Sequence, residues 1–436
     1  MCLFVLVSAA RADLTLVFEQ RLVKSDPQGM QQVKGAAQAG ESTTRLTVQL
    51  AQDWCSSEDG ELIQQIDFKN RRCLLLNRQT KTYTDTALLA KIGFLSAEFR
   101  NRLMQAGLFE KMGMKDNPMD PVLMEHLFSI RGPNTVPLKG KTARGTQSWT
   151  HNGKPLFSCS TDGFKLSAEE TALLVRFLRH EFGLHPDILD ACRKAGRVPT
   201  GIEIYRYNMG VDHYSLKLVK SERTPAGLVR ADLKAGATEE TEGGLTAIVH
   251  EATAMDEADY RARCEKLKSD ALAQREQGKT MDAMLLLLEY GLSCDKMAEE
   301  IESLKDAIQH DADCQHLMAS INPHTKEGAE EAVKELAALE GKAQAGRRMI
   351  TVFRANILTN LGKGNEAQTF LIAALKENPA QVGAWKDLGD IYYNSYEMDE
   401  AWSCWETALK LLPSAKMLEG VKTLEKDLIK TYPEFL

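Results

Sequence analysis

Three short runs hold residue types that could do chemistry. His180-Glu181-Phe-Gly-Leu-His185 has the two histidines and the glutamate of a zinc hydrolase. In such a site the histidines stand four residues apart on one helix face, and the glutamate is the general base. Here they stand five apart and Gly183 ends the helix between them, so the rings do not share a face. Gly140-Lys141-Thr142 has the end of a phosphate-binding loop, but the glycine that should open the loop falls on Thr135. His310-Asp311-Ala-Asp313-Cys314-Gln-His316 is the densest set of metal-ligand types. On a helix His310 neighbours Asp313 and Cys314, yet no distant run completes a tetrahedral site, and a polar surface turn is the plainer reading. The chain has neither a G-x-S-x-G elbow nor a C-x2-C pair. No catalytic residue, metal or cofactor is therefore expected, and the search moves to binding.

The helical elements near the C-terminus carry the clearest pattern. Trp385, Leu388, Gly389 and Tyr392 read W-x2-L-G-x2-Y, followed by Ala401, Trp405, Ala408 and Pro413. Moving 34 residues upstream from Ala401, Ala408 and Pro413 gives Ala367, Ala374 and Pro379, with Ala355, Leu358 and Leu371 at the other apolar positions. Small residues stand where paired helices touch, since larger ones would force them apart. The prolines stop the second helix of each unit because they lack an N–H. This pattern resembles the tetratricopeptide (TPR) repeat, with Trp405 where phenylalanine is usual. Ala271, Gly278, Ala283 and Leu287 suggest a weaker unit upstream, with Tyr290 at a normally small position. Ala329–Leu339 reads as part of a degenerate repeat, and Leu418, Val421, Leu424 and Leu428 as the stripe of a capping helix.

The resemblance implies a stacked array with a groove that holds another protein, lined mainly by the first helix of each unit. Carried across, it points to Val352, Asn356, Thr359 and Asn360 in one unit and to Lys386, Asp390, Tyr393 and Asn394 in the next. Asn356 and Lys386 are types that such grooves use on a peptide backbone or terminal carboxylate. Asp390 would repel a carboxylate, so a basic or internal peptide is the expected guest. Cys264 begins the first helix of the weak unit and Cys294 follows its second; antiparallel helices bring those ends together, and a Cys264–Cys294 disulfide is expected.

The first half alternates with the period of strands. Leu14, Leu16 and Phe18 share one face, as do Leu46, Val48 and Leu50. Strands are expected through Ile66–Phe68, Cys73–Asn77 and Lys81–Asp85. A hairpin spans Ala143–Cys159 about Asn152-Gly153, the strongest short turn signal, and another spans Gly201–Ser221. Helices are expected at Ala168–Phe182 and Pro186–Lys194. The run Ile66–Asp85 resembles a meander of exported proteins related to the lipoprotein-carrier (LolA/LolB-like) half-barrel. That resemblance implies a sheet face able to hold an acyl chain or another apolar ligand; a face covered by the domain's own helices is the alternative.

Residues 1–12 read as the end of a signal peptide, an apolar run and Ala10-Arg11-Ala12 without a basic start, which implies a periplasmic or secreted protein; a buried first strand is the alternative. The expected order is then an α+β domain over 13–222, with an antiparallel sheet and inserted helices, a linker over 223–258, and an all-α TPR-type solenoid over 259–436. Net charge is −7, with the excess acid in the helical half. Neither a nucleic-acid partner nor a membrane-spanning segment is expected. The sequence reads first as an envelope adaptor or scaffold that binds a protein, second as a carrier or sensor of an apolar ligand, and third as an enzyme with its site in the β-rich half.

Overall fold

The computed structural model describes residues 13–25, 41–113, 120–133, 136–208, 210–224, 227–240, 244–295 and 299–436. Residues 1–12, read above as a signal remnant, lie outside them. The chain forms two units: the described residues up to Glu240 together with Ile429–Leu436, and Thr241–Leu428.

The first unit opens with six strands, β1 (Asp13–Ser25), β2 (Glu41–Leu50), β3 (Trp54–Asp59), β4 (Leu62–Asp67), β5 (Arg72–Asn77) and β6 (Thr82–Ala87). Helices α1 (Leu88–Lys111) and α2 (Pro121–Phe128) follow, then β7 (Lys141–Ala143), β8 (Thr146–His151), β9 (Lys154–Ser160) and β10 (Gly163–Lys165). Next come α3 (Ala168–Phe182) and α4 (Pro186–Ala195), and then β11 (Arg197–Pro199), β12 (Gly201–Tyr207), β13 (Val211–Thr224) and β14 (Thr238–Glu239). Twelve strands make one sheet in the order β14-β6-β5-β4-β3-β2-β1-β13-β12-β9-β8-β7, while β10 pairs with β11. Pairing is antiparallel except between β14 and β6.

Register explains the core. Leu14, Leu16 and Phe18 stand opposite Leu50, Val48 and Leu46, so the alternating apolar residues of two neighbouring strands share one buried face. A bulge between Val17 and Phe18 lets both side chains be buried. Helix α3 packs on β2 and contributes Leu174, Val175, Leu178 and Phe182 to the core. Its bounds follow from a capping box, in which Ser167 and Glu170 satisfy each other's backbone N–H groups, and from Gly183 at its end.

Among the described residues of the span 223–258, expected as a linker, several pack against the sheet unit. Leu233 is buried against Ile63 and Leu74, Arg230 pairs with Asp67, and β14 extends the sheet edge. These contacts place residues up to Glu240 in the first unit, and α5 (Leu245–Ala254) belongs to the second. The helical unit also ends earlier than 436, because the last eight residues pack with the sheet unit.

Two buried histidines make the first unit acid-sensitive. Burial, aided by the charge of His185, pushes His126 down to about 3. Burial, together with Lys91, Arg179 and Arg176, pushes His180 well below its ordinary value. Both are neutral when folded and take protons when unfolded below about pH 6.5, so stability is complete above that pH and is lost as the pH falls. At pH 5.5 the pair is expected to cost about 3 kcal/mol relative to pH 7.5. Glu181 works in the opposite sense: burial raises its carboxyl, and protonation returns part of the loss. Hydrogen exchange of the β1, β2 and β13 amides at the two pH values checks this, and equal protection would refute it.

The second unit continues with α6 (Glu257–Glu276), α7 (Thr280–Cys294), α8 (Glu300–Ser303), α9 (Lys305–His310), α10 (Ala312–Ser320) and α11 (Lys326–Glu340). It ends with α12 (Arg347–Asn360), α13 (Gly364–Glu377), α14 (Val382–Asn394), α15 (Met398–Leu411) and α16 (Glu419–Thr431). Pairs α6–α7, α12–α13 and α14–α15 pack across short turns, α13 lies on α14, and α12 and α14 lie on α7. Helices α13 and α15 begin and end 34 residues apart, each stopping two residues before its proline, Pro379 or Pro413.

Cys264 and Cys294 form a disulfide that closes the α6–α7 hairpin. Its partners are 30 residues apart. The chain-entropy model for a loop of that length gives about 3–4 kcal/mol. Reduction, or the Cys264→Ala/Cys294→Ala variant, should therefore lower the helical unit's denaturation midpoint; no change would show that the bond does not form in solution. The other described cysteines are buried, and burial pushes Cys55, Cys192 and Cys314 up to about 12 and Cys159 to about 11.

Candidate protein-binding face of the helical unit

The small residues of the repeat pattern let the paired helices approach closely. Ala355, Ala367, Ala374, Ala401 and Ala408 are all buried, with Leu358, Leu371, Trp385, Leu388 and Tyr392 packed beside them. Gly389 is the tightest of these points: a Cβ there would lie 2.5 Å from the Trp405 ring. That absence of a side chain lets the Trp405 indole lie across α14.

Trp405 then acts on the face. Its Nε1 donates to Asp390 Oδ1 at 3.1 Å, and its ring meets Tyr393 at 5.3 Å between centroids. Phenylalanine would supply the ring but not the N–H. Asp390 also receives Lys386 Nζ at 2.7 Å, and the same ammonium lies 3.6 Å from Asp387 Oδ1. Burial disfavours the Lys386 charge, but the hydrogen bond to Asp390 and the two carboxylate charges outweigh it and hold the lysine above its ordinary value. Burial raises the Asp387 carboxyl, as does the Asp390 charge, against the pull of Lys386 and a hydrogen bond to Asn356. Asn356 on α12 is thus joined to Lys386, Asp387, Asp390 and Tyr393 on α14 and to Trp405 on α15.

Four of the eight residues expected at the face meet in this cluster: Asn356, Lys386, Asp390 and Tyr393. Val352 does not belong to it. It is 1% exposed and packs in the helical core, which removes it from any partner contact. The Thr359 hydroxyl is turned back onto the Ala355 carbonyl at 2.9 Å. Asn360 and Asn394 are exposed at the ends of α12 and α14. Asp387 was missed as a face residue, and so was the role of the buried Trp405 beneath it; the one available signal for the latter was the N–H that tryptophan brings where the pattern has phenylalanine.

Polar groups within the core fix α12. Asp282 Oδ1 on α7 accepts the backbone N–H groups of Gln344, Ala345 and Gly346 at 2.9, 2.9 and 3.3 Å. Glu289, fully buried on α7, accepts from Arg348 Nε and Asn378 Nδ2, both at 2.5 Å. Two segments, residues 344–348 and Asn378, are tied to α7 by two carboxylates.

In the sheet unit the chemical runs have other roles. His180 Nε2 donates to the Phe435 carbonyl, and His185 Nε2 lies 2.8 Å from Glu125 Oε2. Lys141 and Thr142 sit on the strand β7, and Gly140 is packed against the Trp149 ring. In the helical unit Asp311 caps α10, Asp313 pairs with Lys342, and Cys314 is buried. Among the described residues no three His, Cys, Asp or Glu side chains converge as metal ligands. Glu203 lies between His213 Nε2 (2.6 Å) and Ser215 Oγ (2.8 Å), beside an open pocket of about 200 Å³. The carboxylate separates hydroxyl from imidazole, so this is not a nucleophile–base pair.

A second, apolar cavity of about 110 Å³ is lined by Trp149, Phe157, Cys159, Leu178, Cys192 and Ile202, among others. Among the described residues no helix is long and apolar enough to cross a membrane. No model of a known family matches this chain, and no curated protein matches it.

Proposed function

We propose that the chain is a non-catalytic adaptor of the cell envelope, that its helical unit is a TPR-type array, and that the α12–α14 face holds a basic, extended segment of a protein partner. The repeat reading is supported by the 34-residue offset of α13 and α15 and by the buried small residues between helices. The guest's charge rests on one observation: the Lys386 ammonium is already engaged by Asp390 and Asp387, which leaves an excess of acid on the face. A terminal carboxylate finds no free cation in this cluster, whereas a lysine or arginine side chain can share Asp387 and Asp390. The Cys264–Cys294 disulfide suits an oxidising compartment and supports export.

An apolar-ligand role has weaker support. Helix α3 covers part of the sheet with buried side chains packed on β2, and a cavity near 110 Å³ is the size class that holds a benzene-like molecule, not an acyl chain.

Affinity retention from a native envelope extract tests the proposal. The wild-type chain should retain a protein that the Asn356→Ala/Asp390→Ala variant loses. Equal retention by both would remove this face from the binding reaction.

A further inference from the structure

Strand register builds the floor of the apolar cavity in the sheet unit. Gln147 on β8 stands opposite Cys159 on β9, and Cys159 stands opposite Ile202 on β12. Trp149 and Phe157 form the next row on the same face, two residues along each strand. Over this floor lie Leu174 and Leu178 of α3, one turn apart, and Ala191, Cys192 and Ala195 of α4. Elsewhere α4 buries two large side chains, Ile188 and Leu189. Over the floor it carries only small ones, and the space they leave is the cavity of about 110 Å³. Voids larger than a water molecule are few in a close-packed domain, and an empty one costs stability.

The walls are aromatic and dry. The Trp149 and Phe157 rings, both buried, meet at 5.6 Å between centroids with their planes 58° apart. A bulge after Trp149 sets the direction of its side chain, and Gly140 backs the indole so closely that a Cβ there would lie 2.6 Å from it. Burial pushes the Cys192 thiol up to about 12 and the Cys159 thiol to about 11, so both are neutral and act as small apolar groups. Two polar side chains stand at the rim. Arg197 is engaged by backbone: its Nε donates to the Ala195 carbonyl at 3.1 Å and its Nη1 to the Thr161 carbonyl. Gln147 is half-buried and makes no side-chain hydrogen bond to any described residue. Its amide shares the floor row with Cys159, which leaves one hydrogen-bonding group beside an apolar space.

We propose that this cavity is a binding site for a monocyclic aromatic molecule with one hydrogen-bonding substituent, of the phenol class. The ring lies against Trp149, Phe157 and Leu178, and the hydroxyl bonds the Gln147 amide. The volume sets the limit at a single ring: an apolar cavity of about 150 Å³ stays dry when empty and binds benzene. Two neighbouring aromatic walls favour an aromatic guest over an aliphatic one, through edge-to-face and offset contacts. The inference does not depend on the α12–α14 face.

The test uses the full chain and para-fluorophenol, followed by fluorine NMR, with fluorobenzene for comparison. Wild type should bind para-fluorophenol saturably, and at least about ten-fold more tightly than fluorobenzene, a difference of about 1.4 kcal/mol. Ala191→Leu, which fills the space from α4, should weaken both probes at least about ten-fold. Gln147→Leu should keep fluorobenzene binding and erase the difference between the probes. No saturable binding by wild type, or equal binding by Ala191→Leu, would overturn the proposal, and wild type that binds both probes alike would overturn the role of Gln147. Thiol labelling of wild type keeps the test decisive should Ala191→Leu fail to fold. Para-fluorophenol should slow modification of Cys159 and Cys192 by methyl methanethiosulfonate and leave the buried Cys314 and Cys404 of the helical unit unchanged. Unchanged rates at Cys159 and Cys192, or equal slowing at all four, would overturn the site.

Discussion

Glu289→Ala is expected to cost the helical unit about 3–5 kcal/mol, the range for breaking one side of a buried ion pair. Glu289 is fully buried and holds Arg348 and Asn378, one at the start of α12 and the other just past the end of α13. Removing the carboxylate strands a guanidinium whose side chain is 21% exposed and a buried amide. Burying an unpaired charge costs more than the pair contributes, so Glu289→Leu/Arg348→Met should recover much of the loss. Denaturant titration of the single and double variants checks both statements. A shift below about 1 kcal/mol for Glu289→Ala, the scale of an exposed pair, would show that the network is not formed in solution.

The second large effect is at Trp385. Its side chain is fully buried, and its indole Nε1 donates to the Pro379 carbonyl at 2.8 Å. That bond ties α14 to the proline that follows α13. Trp385→Ala should cost about 3–5 kcal/mol through lost burial and the cavity left behind. Trp385→Phe keeps most of the apolar volume and loses the hydrogen bond, a change worth about 1 kcal/mol. The ordering Ala far below Phe is the check, read from denaturation midpoints. Equal losses would place the stabilisation in the hydrogen bond and not in packing.

The two units differed in how far their sequences could be read, for physical reasons. Helix α3 was legible to the residue because Ser167, Glu170 and Gly183 mark its ends chemically. The β8–β9 hairpin was legible from Asn152-Gly153, whose backbone adopts positive φ at both residues. Helix α1 was not read, because Phe94, Met104 and Leu108 are exposed and blur its apolar stripe. Leu233 and Phe435 gave no signal because each is a lone apolar residue whose partners are distant in the chain. The same reason hid Asp282 and Glu289: a carboxylate on a helix reads as surface until residues about 60 to 90 positions away supply the donors.

Part of the α12–α14 cluster was legible: Asn356, Lys386, Asp390 and Tyr393, the residues to which the resemblance pointed, come together across the two helices. Its charge balance was legible only in part. Asp387 faces the same cluster although it follows Lys386 directly, and its hydrogen bond to Asn356 crosses between helices. Val352 marks the limit of position-by-position transfer: an apolar residue at a face position was drawn into the core instead.

One measurement reaches the proposed acidic peptide site on the α12–α14 face directly. An array of extended peptides graded from acidic to basic is probed with the full-length chain and with the Asp387→Asn/Asp390→Asn variant. The wild-type chain should favour lysine- and arginine-containing peptides, lose them as salt rises, and bind them at least about ten-fold more tightly than the variant, a difference of about 1.4 kcal/mol. Binding without regard to peptide charge, or unchanged in the variant, would contradict the account.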